Sequence, residues 1–86
     1  MATVWIPALL RPLCDGAHTV EATGETLRAL IDDLDSHCPG IAARLLDGGR
    51  IRPEIAVWID GDEADDVTTP VGPASELQIV PAIAGG

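Results

Sequence analysis

The 86-residue chain has no lysine, no phenylalanine and no tyrosine, and only two cysteines. Each scarcity removes a class of function. Without lysine, no side chain can receive an isopeptide link, so if the chain takes part in acyl transfer it does so as the donor. Five arginines stand against 14 acidic residues, for a net charge of −9. That balance argues against nucleic acid as a partner, because phosphate neutralisation needs clustered cations. The acidity serves either solubility or steering toward partners with basic docking surfaces. No apolar run approaches the roughly 20 residues that span a bilayer, so no membrane association is expected. Met1 to Pro7 has neither a basic start nor an extended apolar stretch, unlike a secretory signal. The expected location is cytoplasmic.

The two cysteines, Cys14 and Cys38, are too few for a disulfide framework. In a reducing cytosol they are expected as free thiols, with a bridge between them left open. Cys14, His18, His37 and Cys38 are four possible metal ligands, but adjacent His37 and Cys38 do not readily converge on one tetrahedral centre, so no metal is expected. Plant-type ferredoxin chemistry needs four cysteines. Gly48-Gly49 lacks the lysine of a phosphate-binding loop. A Cys/His nucleophilic pair has no oxyanion-hole motif beside it, and no catalytic residue is assigned. Asp32, Asp33 and Asp35 read as a solvated helix face.

What is present suits one small domain with 47% apolar residues. Thr3 to Ile6 reads as a strand with Val4 and Ile6 on one face. Leu9 to Gly16 reads as a loop, punctuated by Pro12 and Asp15-Gly16. Ala17 to Ala22 reads as a second strand, pairing with the first as an antiparallel hairpin. Thr23 or Thr26 can cap a helix, with Glu25 complementing the dipole in the first turn. Leu27, Leu30, Ile31 and Leu34 have the spacing of one apolar helical stripe. Pro39-Gly40 stops the helix, and Ile41 to Leu46 adds a further turn or two with Ile41 and Leu45 inward. Asp47 to Arg50 reads as a flexible loop. Ile55, Val57 and Ile59 alternate inward along a strand that ends at the Asp60-Gly61 turn. Asp62 to Ser75 is mostly loop, with a short strand near Asp65 to Thr68. Glu76 to Pro81 is the last strand, Leu77 and Ile79 inward.

That order predicts an α+β fold: a mixed sheet of four or five strands with one main helix across one face. A parallel pair in the middle, between the first and last strands, makes it the ubiquitin-like, or β-grasp, arrangement. The expected division is a β-grasp domain over 1–81 and a flexible tail over 82–86. The tail, Ala82-Ile83-Ala84-Gly85-Gly86, carries no charge and no bulky side chain near its end. Extended, its five residues reach roughly 16–18 Å. It suits insertion into a narrow channel, with the Gly86 carboxyl group placed in another protein's active site. Gly85, lacking a Cβ, permits the close backbone approach.

The two tryptophans are the other conspicuous residues. Period-two counting sets Trp5 and Trp58 opposite the core residues of their strands, with Gln78 and Val80 between them. Trp is enriched at binding hot spots, so Trp5, Trp58 and Val80 form a candidate partner-docking patch. The alternative is that loops or the tail cover both rings, or that the rings join the core. Arg11, Arg50 and Arg52 are further candidates for pairing with an acidic groove on a partner, or simple surface charge.

Length, element order, the helix Leu27 to Leu34 and the ending Val80-Pro81-Ala82-Ile83-Ala84-Gly85-Gly86 together resemble the MoaD/ThiS-type sulfur-carrier proteins. The opening Ile6-Pro7-Ala8-Leu9-Leu10-Arg11-Pro12 looks most like the actinobacterial carriers for cysteine or other sulfur metabolites. The resemblance implies a protein that is no enzyme itself. It implies that a ubiquitin-activating-type adenylating enzyme, MoeB/ThiF-like, activates Gly86 with ATP. Sulfur from a donor then displaces AMP, and the Gly86 thiocarboxylate serves a sulfur-accepting biosynthetic enzyme. Ala84 and Gly85 give access. No permanently bound cofactor is implied. The alternatives are a molybdopterin synthase small subunit, a ubiquitin-like modifier conjugated to lysines, and a plain protein-interaction domain.

Overall fold

Alternation of apolar and polar residues lays down the sheet. In the computed structural model, which describes residues 1–81, five strands form it: β1 (Ala2–Trp5), β2 (Thr19–Ala22), β5 (Ile55–Ile59), β6 (Asp62–Glu63) and β7 (Glu76–Pro81). Helix α1 (Leu27–His37), the short helix α2 (Ile41–Leu45) and the small hairpin of β3 (Leu46–Asp47) and β4 (Arg50–Ile51) lie between β2 and β5. The sheet order is β2-β1-β7-β5-β6. β1 and β7 are parallel, and the other pairs are antiparallel. The expected β-grasp arrangement is therefore the observed one, with the last strand at its centre. The predicted tail, 82–86, lies outside the described residues.

The apolar stripe of α1 closes one face of the sheet. Leu27, Leu30, Ile31 and Leu34 are each 1% exposed, against Val4, Val57 and Leu77 of the strands. Thr26, rather than Thr23, is the cap: its Oγ1 accepts from the Ala29 amide at 3.2 Å. Glu25 precedes the cap, so the first turn carries no acidic residue. Gly24 packs so closely on α1 that a Cβ there would overlap the backbone of Leu30. Ile41 and Leu45 of α2 point inward as expected.

The structure departs from the sequence expectations in five further places. Leu9 to Gly16 is no loop: Ala8–Cys14 winds into a 3-10 helix that tucks Leu10 and Cys14 into the core. Asp47 to Arg50 closes a tight hairpin, because Gly48 and Gly49 both take positive φ, as a two-residue turn matched to strand twist requires. The short strand after Asp60-Gly61 is Asp62–Glu63 rather than Asp65 to Thr68. At Asp66 the carboxylate accepts from the Thr68 amide and hydroxyl instead, forming a side-chain turn.

The aspartates of α1 are not merely solvated. Asp33 accepts from the Thr23 amide, and Asp35 accepts from the amides of Gly40 and Ala42, tying α1 to α2. Finally, Cys14 and Cys38 form a disulfide rather than free thiols. It joins the end of the 3-10 helix to the end of α1, and both residues are buried.

Candidate functional site

Register decides which residues share the uncovered face of the sheet. Trp5 pairs with Gln78, and Gln78 pairs with Trp58, so the three form one row across β1, β7 and β5. With strands roughly 4.8 Å apart, the backbones of Trp5 and Trp58 stand about 10 Å apart, on either side of Gln78. Trp5 is 45% exposed and Trp58 36%, so neither belongs to the core. The Trp5 indole N–H donates to Glu76 Oε1 at 3.2 Å, which fixes the ring over the start of β7. Val80, two residues beyond Gln78 on β7, is half-buried. The structure thus brings Trp5, Trp58 and Val80 onto neighbouring strands. Ala84, Gly85 and Gly86 lie outside the described residues, but their point of departure is fixed: Pro81 ends the central strand.

A groove of about 530 Å³ opens at that point of departure. Ile79, Val80 and Pro81 of β7 contribute to it, together with Pro7, Leu9 and Leu10 from the 3-10 segment and Arg44 and Arg52 from the opposite side. Leu9, at 79%, is the most exposed large apolar residue among those described. Arg52 is held in place: its Nε donates to the Ala43 carbonyl at 2.9 Å, and its guanidinium lies 3.8 Å from Glu54. Arg11 donates through Nε to the Ile6 carbonyl, next to the groove residue Pro7.

The other end of β7 is acidic. Asp60 Oδ1 accepts from the Glu76 amide at 2.9 Å, and the Asp60 amide donates to the Glu76 carbonyl at 2.9 Å. The Glu76 N–H, reinforced by the Ser75 hydroxyl, holds the Asp60 carboxyl below its ordinary value. Hydrogen bonds from the Thr68 hydroxyl and amide do the same for Asp66. Trp58, Asp60, Glu76 and Gln78 border a shallow hollow at this end.

Of the arginines singled out in the sequence, Arg52 lines the groove, Arg11 lies beside it and Arg50 sits in the β3–β4 hairpin, whereas Arg44 and the groove itself were missed. One wall of the groove is the 3-10 segment, where the sequence predicts a loop. Cys14 and Cys38 are consumed by their disulfide, and no group of three metal-ligating side chains occurs among the described residues. No helix among the described residues is long and apolar enough to cross a membrane.

Comparison with known proteins agrees with this geometry. The chain is 33% identical over 90 residues to the sulfur carrier protein CysO of Mycobacterium tuberculosis, covering 98% of this chain and 97% of that protein. It superposes with a TM-score of 0.93 and 35% identity on a chain of the Amycolatopsis orientalis BexX/CysO complex, each chain covered in full. SAMP1 from Haloferax volcanii, at 24% identity and a TM-score of 0.76, shares the fold over 99% of this chain and 98% of its own. The sequence model of the ThiS family matches residues 4–86, through to the final glycine. The chain belongs to the ThiS family and is a homologue, over nearly its whole length, of the sulfur carriers.

Proposed function

We propose that Gly86 is the sulfur-bearing residue of a carrier protein. A carboxylate is a poor electrophile, since its charge is shared by two oxygens, so it must be activated before sulfur can be attached. An adenylating enzyme of the ubiquitin-activating, MoeB/ThiF-like type supplies that step with ATP. Sulfur from a donor displaces AMP and leaves a thiocarboxylate on Gly86. A second, biosynthetic enzyme accepts the sulfur on the way to cysteine or another sulfur-containing metabolite, in the cytoplasm. The carrier's own contribution is placement: docking converts an encounter in solution into a reaction between held groups.

One observation carries this reading. Gly85 and Gly86 follow shortly after the central strand of a sheet whose uncovered face displays Trp5 and Trp58 on the two flanking strands. The homology to proteins named sulfur carriers supports it. Trp5, Trp58 and Val80 serve as the docking patch, and Ala84 and Gly85 as the slender access to the reacting atom.

Intact mass spectrometry after incubation with the adenylating enzyme, ATP and a sulfur donor tests it. The full chain gains the mass of one oxygen exchanged for sulfur. A chain lacking Gly86 stays folded and gains nothing. Normal thiocarboxylate formation on the truncated chain refutes the proposal.

A further inference from the structure

The arginines of this acidic chain are not spread evenly. Two of the five, Arg44 and Arg52, line the groove where β7 ends, and Arg11 is hydrogen-bonded to the Ile6 carbonyl, next to the groove residue Pro7. The opposite end of the same strands carries Asp60, Asp62, Glu63 and Glu76, and no arginine follows Arg52 in the sequence. Within the groove, Glu54 faces Arg52 at 3.8 Å, whereas Arg44 is exposed and has no ion-pair partner among the described residues. Beside it stand the exposed Leu9 and the half-buried Ile55 and Val80. An apolar trough with an unpaired cation on its rim is complementary to an apolar segment that bears carboxylates.

We infer that this groove seats an apolar, carboxylate-bearing segment of the protein that receives the carboxyl end. An apolar side chain of that segment packs against Leu9 and Ile55, and a carboxylate pairs with Arg44. This deepens the carrier reading and rests on it for the partner's identity. It also runs against the overall charge. A net charge of −9 steers the chain toward basic surfaces, while the end that must enter the partner asks for an acidic one. The long-range field and the local contact therefore have opposite signs, and a charge reversal at Arg44 separates them.

The first test needs no enzyme. The ¹⁵N-labelled full chain is titrated with the acetylated, amidated peptide Glu-Leu-Leu-Glu and, separately, with Lys-Leu-Leu-Lys. The acidic peptide is expected to shift the amides of Leu9, Arg44 and Ile55, and Arg44→Glu abolishes those shifts while leaving the rest of the spectrum in place. Groove shifts with the basic peptide instead, or with neither, overturn the inference. The second test uses the adenylating enzyme. Arg44→Glu raises the carrier's KM about tenfold, ~1.4 kcal/mol, with kcat unchanged, and Arg44→Lys restores it. An unchanged or lower KM for Arg44→Glu shows that the overall field governs docking, and overturns the inference. If the wild-type chain binds the acidic peptide but is never thiocarboxylated, the carrier reading fails while the groove stands. If it is thiocarboxylated without either effect of Arg44, the groove fails alone.

Discussion

Val57 and Trp58 are neighbours on β5, yet Val57 is 2% exposed and Trp58 36%. The same contrast runs through β1 and β7, where Val4 and Leu77 are buried while Trp5 and Gln78 are not. One face of the sheet is sealed by α1 and holds the fold; the other is uncovered and free to be recognised. Because side chains alternate along a strand, the two faces are written in the same few residues, and mutations one position apart have different consequences.

The largest effect expected is on the sealed face. Leu77→Ala removes a side chain that is 1% exposed on the central strand, and is expected to cost about 2–5 kcal/mol in urea unfolding. If it costs no more than an exposed-face substitution, the contrast between the faces is wrong. Next comes the staple behind that face. The Cys14–Cys38 bridge spans 24 residues of sequence, and Cys14→Ala with Cys38→Ala is expected to lose about 3 kcal/mol. Comparing Tm with and without reductant checks it, because only the wild-type Tm should fall. Trp58→Ala, on the uncovered face, is expected to cost about 1 kcal/mol or less in stability. It should nevertheless weaken capture of the adenylating enzyme about tenfold or more, measured by titration calorimetry. Equal losses in both would remove Trp58 from the docking patch.

The smallest effect expected is at the rim. The Glu76 N–H holds Asp60 below its ordinary value, so the folded state binds that proton less readily than the unfolded chain. The resulting stability is complete above the unfolded carboxylate value, about 3.9, and is lost as pH falls through the lower folded value. Asp60→Asn should therefore narrow the stability difference between pH 6 and pH 3, followed by chemical denaturation at each pH.

The strands with clean alternation were legible in the sequence, and so was the helix with its stripe. Ile55 to Ile59 and Glu76 to Pro81 need only a period of two, and Leu27 to Leu34 only the helical spacing. The row of Trp5, Gln78 and Trp58 followed from the same counting. The 3-10 helix was hidden because Pro7 and Pro12 bracket a leucine-rich stretch with no regular period. The Gly48-Gly49 hairpin was hidden because its strands, two residues each, are too short to alternate. The disulfide and the bonds from Asp33 and Asp35 depend on which helix ends meet in space. The groove at Arg44 is legible only once that 3-10 segment is folded.

The parallel pairing of β1 with β7 has a mechanical consequence. The start of β1 and the finish of β7 lie at opposite ends of one ladder, so tension applied between them loads its hydrogen bonds in shear, together and not one after another. Load between those two ends therefore runs along the strands, and the ladder resists it as a unit instead of being unzipped bond by bond.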